Sequence, residues 1–373
     1  MPVRVGEVRS PRERRRFVSL PPRFHRGHAN WLPPIYAEDR RFFDPRTNPS
    51  FGQSDTALFL ADRDGAAVGR IMGLVNHRAN EIHAERSARF GFMECPDDLE
   101  AARALLGTVE EWARRRGQTR LVGPMGFSDQ DPEGFMIEGF DETPTLACTY
   151  NQDYMNRLVL GLGYAKEVDY VVYAIPVPEA MPPNQLRVIE RVARRGNFRI
   201  VEFTKRKELG RWVLPVLGLM NETFKDIYGY VPLDEAEMRA LAKRYLPVLD
   251  PRFVKLVLDR EGVVSGFIIG LPNFTEGIKK AKGRLFPFGL VRIVLASRRA
   301  RQLDLVLGGV KEKYRGCGLE IMLGVKTVES ARDAGFARID THRELESNVR
   351  VRAAMENWGG VVYKRFRVYG KDL

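Results

Sequence analysis

The stretch QLDLVLGGVKEKYRGCGLEIMLGVKTVESARDAGF, residues 302–336, decides the fold. It opens on an apolar run of strand composition, Leu303 to Val310, and passes through the short loop Tyr314-Arg315-Gly316-Cys317-Gly318. Apolar residues then recur at helical spacing until Gly335 closes the helix, and Ala337 to Asp340 reads as the next buried strand. A Gly-rich turn at a helix start offers backbone N–H groups without partners and the positive end of the helix dipole, an arrangement suited to phosphate oxygens. Gly316 and Gly318 permit close approach, and Arg315 adds a positive charge.

Working outward, the same order of elements occurs twice. RVGEVRSPRERRRFV from Arg4 aligns with RIVEFTKRKELGRWV from Arg199, an offset of 195. DRDGAAVGRIMGL from Asp62 aligns with DREGVVSGFIIGL from Asp259, an offset of 197, and each reads as a hairpin with an acidic-Gly turn. The helix-Gly-strand EWARRRGQTRL from Glu111 aligns with ESARDAGFARI from Glu329 at an offset of 218, and Asn151 with Gly163 aligns with Asn348 and Gly360 at 197 again.

Each half therefore carries an insertion of similar size in a different place. In the second half it falls at 273–302, and residues 276–301 hold eight Lys/Arg and one acid. In the first half it falls at 122–150, where residues 128–142 hold six acids, Asp129, Asp131, Glu133, Glu138, Asp141 and Glu142, and no base. PVPEAMPP, residues 176–183, has four prolines and reads as a linker. The predicted organisation is a first domain over 1–175, a linker over 176–185 and a second domain over 186–373.

The 373 residues carry 60 Lys+Arg against 48 Asp+Glu, a formal charge of +12, which points to an anionic partner without naming it. The three cysteines lack metal or disulfide spacing and read as small buried thiols, and no metal site is expected. The basic N-terminus lacks an apolar run behind it, and no apolar stretch reaches the ~20 residues of a membrane span, so a cytoplasmic location is expected.

On these motifs, the second half resembles the GNAT acyltransferase superfamily, whose pyrophosphate signature is Gln/Arg-x-x-Gly-x-Gly/Ala. Arg315 and Gly318 match its first two fixed positions, whereas Glu320 stands at the last. The resemblance extends more weakly to the first half and, over the whole chain, to bacterial tandem-GNAT proteins. It implies an α/β (α+β) fold of two tandem GNAT-like domains, each a mixed twisted central sheet flanked by helices. It also implies transfer of an acyl group, acetyl in the simplest case, from acyl-CoA to a small-molecule or peptide amine.

Leu307, Gly308, Gly309, Val310, Lys311, Arg315, Gly316, Cys317, Gly318, Leu319 and Asn348 are the implied cofactor-binding positions, and Asn348 also reads as a helix N-cap. The tyrosine that often protonates the leaving thiolate in this superfamily is replaced by Met355, which leaves Tyr363 and Tyr314 as catalytic candidates. The first-half positions matching the loop are Asp97, Asp98 and Glu100, whose charges repel a pyrophosphate, so one site per chain is expected. Asp129, Asp131 and Glu133 are candidates to receive a cationic acceptor, or else to neutralise Lys279, Lys280, Arg284 or Arg298. The alternative reading is a non-catalytic acyl-CoA binder, or a protein that binds anionic membranes or nucleic acid through the basic insert. No specific nucleic acid is expected, and the oligomeric state is not legible.

Overall fold

The computed structural model describes residues 1–145, 148 and 150–373. Leu146, Ala147 and Thr149 of the acidic insert lie outside the described residues. The first half contains β1 (Arg4–Glu7), α1 (Pro11–Val18), α2 (Tyr36–Phe42), β2 (Ser54–Arg63), β3 (Ala66–Asn76), α3 (His77–His83), β4 (Ser87–Glu94), α4 (Leu99–Arg114), β5 (Arg120–Gly123), β6 (Phe135–Glu138), α5 (Tyr154–Gly161) and β7 (Ala165–Pro176). The second half contains α6 (Pro183–Arg195), β8 (Phe198–Glu202), α7 (Val213–Thr223), α8 (Glu235–Tyr245), β9 (Val254–Asp259), β10 (Val264–Pro272), α9 (Thr275–Ala281), α10 (Gly289–Ser297), β11 (Gln302–Val310), α11 (Leu319–Asp333), β12 (Arg338–Asp340), β13 (Glu344–Leu345), α12 (Val349–Asn357) and β14 (Val361–Asp372).

Both expected hairpins form. β2 and β3 close through Asp64 and Gly65, both at positive φ, and β9 and β10 close where the Asp259 carboxylate accepts the Glu261 and Val263 N–H groups. Each half adds one parallel pair. β4 runs with β5 over Ser87–Arg89, and β11 runs with β12 over only Gln302–Asp304.

The halves do not form separate sheets. A single mixed sheet runs in the order β1-β2-β3-β4-β5-β14-β7-β12-β11-β10-β9-β8. The final strand of the chain, β14, pairs with β5 of the first half, while β7 of the first half pairs with β12 of the second. β7 and β14 are joined to each other through a long antiparallel ladder, from Ala174↔Val361 to Ala165↔Gly370. The long last strands are thus exchanged between the halves. Packing follows the exchange: Val171, Tyr173 and Ile175 of β7 are buried with Leu303, Val328 and Ile339, and Tyr369 of β14 is buried with Phe135, Leu158 and Val159.

The Pro-rich segment is docked rather than free. Val177 N–H bonds the Ala337 carbonyl at 3.0 Å, and the last residues assigned to the linker start α6 at Pro183. Proline suits that place because a helix's first N–H groups have no intrahelical partner. The acidic insert contributes β6, which pairs with β14, and the basic insert folds as α9 and α10.

Candidate active site

The Gly-rich loop Tyr314–Gly318 stands at the start of α11. Gly316 and Gly318 adopt φ of +77° and +91°, and Gly318 caps α11. A Cβ at Gly318 would lie 2.8 Å from Val192 and 2.9 Å from Val188 of α6, so the position needs glycine for space as well as for backbone. The departure from the superfamily signature has a structural counterpart, because the Glu320 carboxylate accepts the Gly316 N–H at 3.2 Å and occupies a donor suited to phosphate. Cys317 is exposed between the two glycines, in contrast to the buried Cys95 and Cys148.

β11 leads into this loop. Its pairing with β10 is irregular at Ile269/Gly270, and its pairing with β12 stops at Asp304↔Asp340. Leu307, Gly308, Gly309 and Val310 remain paired to β10 on one side, while the edge toward β12 is open. The result is a V-shaped opening between parallel strands, rising from Asp304 and Asp340 toward Arg315. The corresponding place in the first half is closed: Met125 N–H bonds the Phe90 carbonyl at 2.8 Å, and a Cβ on Gly91 would meet the Met125 carbonyl at 2.3 Å. The start of α4 is likewise filled, since Asp98 caps it and Arg63 pairs with Asp98 and Glu100 at 2.7 and 2.8 Å.

At the foot of the open V lies a polar cluster that inspection of the sequence did not identify. Asp304 and Asp340 face each other across the last parallel pair, and both are buried. Asn273 at the end of β10 donates to Asp304 at 2.9 Å, and Gln302 donates to it at 2.7 Å. Tyr363 donates its hydroxyl proton to Asp340, and the wholly buried Lys364 reaches the Tyr363 oxygen at 2.9 Å and Asp340 at 3.8 Å. Burial, reinforced by the charge of Asp340, pushes Asp304 up to about 8, and burial with the neighbouring Asp340 carboxylate raises Tyr363 well above the ordinary phenol range.

The sequence carries a signal for this cluster, because LDLVL and ARID each place a carboxylate inside an otherwise apolar strand. Of the two expected catalytic tyrosines, only Tyr363 joins it. Tyr314 turns away to Asp259 at 3.4 Å and Phe198. Asn348 acts as an N-cap, accepting the Val351 N–H, and Lys311 lies 3.9 Å from Glu222.

The segment after β12 ties the two halves together. His342, at φ +61°, donates its N–H to Asp340 at 2.8 Å. Burial works against ionisation of the Cys148 thiol, but His342 and Arg343 together outweigh it and bring the thiol down to about 7. Arg343 donates to the carbonyls of Asp129, Asp131 and Glu133. The side chains of those three acids are turned inward, not toward an open acceptor pocket. Asp131 accepts the Phe127 and Ser128 N–H groups and Glu133 accepts the Tyr170 hydroxyl, while burial raises Asp129 to about 7 and Asp131 to about 6. Arg343 is the main cation facing Asp129 and Glu133, Arg244 and Arg89 face Asp131, and Glu142 pairs with Arg338 of β12 at 3.4 Å. The insert meets the basic one through Lys279–Thr143 at 3.4 Å and through the Thr275 hydroxyl, which donates to the Pro144 carbonyl at 3.0 Å.

A cavity of about 660 Å³ approaches the cluster from the other end of the strands, with Asn273, Gln302 and Arg338 on its floor and α10 forming one wall. Arg338 donates to Gln302 and lies 5.0 Å over the Tyr363 ring. Among the described residues, no group of three or more His, Cys, Asp or Glu is placed to hold a metal, and no helix is long and apolar enough to cross a membrane.

The buried carboxyls set a pH dependence. Asp304, Asp129 and Asp131 are raised, as is Glu344, which burial brings to about 7. A carboxyl raised in the fold contributes stability that is present below its unfolded pKa and lost as pH rises through the folded value. Cys148 opposes this above pH 7 as a single group. The melting temperature should therefore fall by a few degrees between about pH 6 and pH 8.5. Scanning fluorimetry across that range checks it, and a rise in melting temperature would contradict the assignment.

Compared with known proteins, the chain is 31% identical to the bacterial ceramide synthase of Caulobacter vibrioides, covering 99% of this chain and 97% of that one. The chain belongs to the bacterial ceramide synthase family. Protein YghO of Escherichia coli is 25% identical over 96% of this chain and 92% of its own. No family model matches. The tandem GNAT protein from the clavulanic acid biosynthesis pathway superposes with a TM-score of 0.57 at 12% identity, covering 99% of this chain and 98% of that one. This member of the bacterial ceramide synthase family thus has a tandem GNAT fold.

Proposed function

We propose that the chain is a CoA-dependent N-acyltransferase with one active site, in the second half. The observation that carries this reading is the open β11/β12 V, which runs from the Gly316–Gly318 loop down to the buried Asp304–Asp340 pair. The relative's name refines the substrates. A ceramide is the amide of a fatty acid and a long-chain amino alcohol, so a fatty acyl group replaces acetyl as the preferred donor and a lipid amine is the acceptor.

The loop residues fit the coenzyme's phosphates, with Arg315 and the α11 N-terminus supplying positive charge. Acyl-CoA supplies the acyl group as a thioester, whose thiol pKa of about 8.5 lets the thiolate leave without the donor that Met355 lacks. Backbone N–H groups on the open edge of β11 polarise the carbonyl. The amine nitrogen attacks that carbon, the C–N bond forms, the C–S bond breaks, and the amine gives up a proton. Tyr363 is placed to relay it: its own proton points to Asp340, Lys364 occupies one lone pair, and the other is left to accept.

Calorimetric titration with acyl-CoAs from acetyl to long-chain species tests this. One site per chain is expected. Arg315→Glu should weaken binding at least about tenfold, and Glu320→Gln, which frees the Gly316 N–H of a competing charge, should tighten it severalfold. Two sites per chain, or an unchanged affinity in Arg315→Glu, would overturn the assignment.

A further inference from the structure

Helix α10 buries only Gly289 and Ile293. That ridge lies close on α9, where a Cβ at Gly277 would stand 2.5 Å from Ile293 Cα. The remaining apolar side chains face outward: Phe286 is 89% exposed and Phe288 68%, and Leu290, Val291, Val294 and Leu295 continue the patch along the helix. Exposed cations surround it, namely Lys282, Arg284, Arg292, Arg298 and Arg299.

The patch sits on a firm base. Leu285 packs among Leu32, Ile35, Phe274 and Ile278, and Tyr36 N–H bonds the Gly283 carbonyl at 3.1 Å, so the first half holds the inner side while the outer side is left uncovered. A contiguous apolar surface of this kind marks an interaction site. Its composition selects the occupant. Residues 276–301 contain a single acid, Glu276, so a second copy of the same surface would repel it. Nucleic acid calls for the cations and has no use for six large apolar side chains at their centre. An apolar centre ringed by Arg and Lys matches the acyl-chain and headgroup layers of an anionic bilayer.

We propose that α10 and the Phe286–Phe288 turn before it dock the protein on an anionic phospholipid leaflet. The 660 Å³ cavity, which shares Arg292, Leu295 and Arg299 with this patch, then takes the lipid amine from the bilayer. That last step rests on the acyltransferase reading, whereas the docking does not.

The test is flotation of the full chain with vesicles of phosphatidylcholine containing phosphatidylglycerol, against vesicles of pure phosphatidylcholine. Flotation with the anionic vesicles, weakened by salt, is expected. Phe286→Ser/Phe288→Ser and, separately, Lys282→Glu/Arg284→Glu/Arg298→Glu should each lower the partition coefficient at least about tenfold. All five positions are exposed, so the melting temperature and acyl-CoA affinity should stay at the wild-type values. Failure to float with anionic vesicles overturns the docking, as does binding to a polynucleotide that leaves flotation unaffected by the Phe substitutions. A chain that floats but takes up no acyl-CoA overturns the function proposed above and leaves the docking standing.

Discussion

Asp340→Ala is expected to lower the unfolding free energy by about 3–5 kcal/mol, because it strands the buried Lys364 ammonium without its partner. Neither side chain has measurable exposure, so solvent does not screen the loss. The pairing of β12 with β7 runs through the same residue, and a local weakening there reaches the strand exchange itself. Urea denaturation measures the change. The double variant Asp340→Ala/Lys364→Met should recover much of the loss, since removing both charges of a buried pair costs far less than removing one. Equal stability of Asp340→Ala and wild type would show that water reaches Lys364 freely.

Tyr363→Phe is expected to reduce kcat by about 10²–10³-fold with acyl-CoA affinity unchanged, the usual weight of a positioned proton-transfer group. The substitution keeps the ring under Arg338 and removes only the hydroxyl that bridges Asp340 and Lys364. Steady-state kinetics with a long-chain acyl-CoA and a lipid amine would measure it. A Phe variant with wild-type kcat would return Tyr363 to a packing role, the reading that a strand aromatic invites from sequence.

Much of the fold was legible because its signals are local. The Asp-Gly and Glu-Gly turns between apolar runs predicted both hairpins, and the register β2–β3 and β9–β10 confirms them. The glycines of the loop marked a turn at a helix start, and Gly316 and Gly318 stand there at positive φ. The acids replacing the loop in the first half predicted a filled helix terminus, and Asp98 fills it. Asp129, Asp131 and Glu133 were misjudged because charge in a sequence reads as exposure. Here the backbone of the acidic insert wraps the Arg343 guanidinium and carries its own carboxyls inward.

By itself, then, the sequence determined the duplicated order of elements, the Gly-rich loop at a helix start with Glu320 just after it, and the opposite charges of the two inserts. These depend on residues a few positions apart, whose turn geometry and spacing hold wherever the rest of the chain goes. Only the tertiary structure decided that β7 and β14 change places, since strands rich in Val and Tyr carry no local mark of which neighbour they will pair with. It also decided the Asp304–Asp340–Tyr363–Lys364 cluster, whose members come from three strands and meet only because the sheet brings β11, β12 and β14 within reach of one another. The apolar outer face of α10 belongs to the same class: its composition was visible, but its exposure depended on how little of it α9 covers.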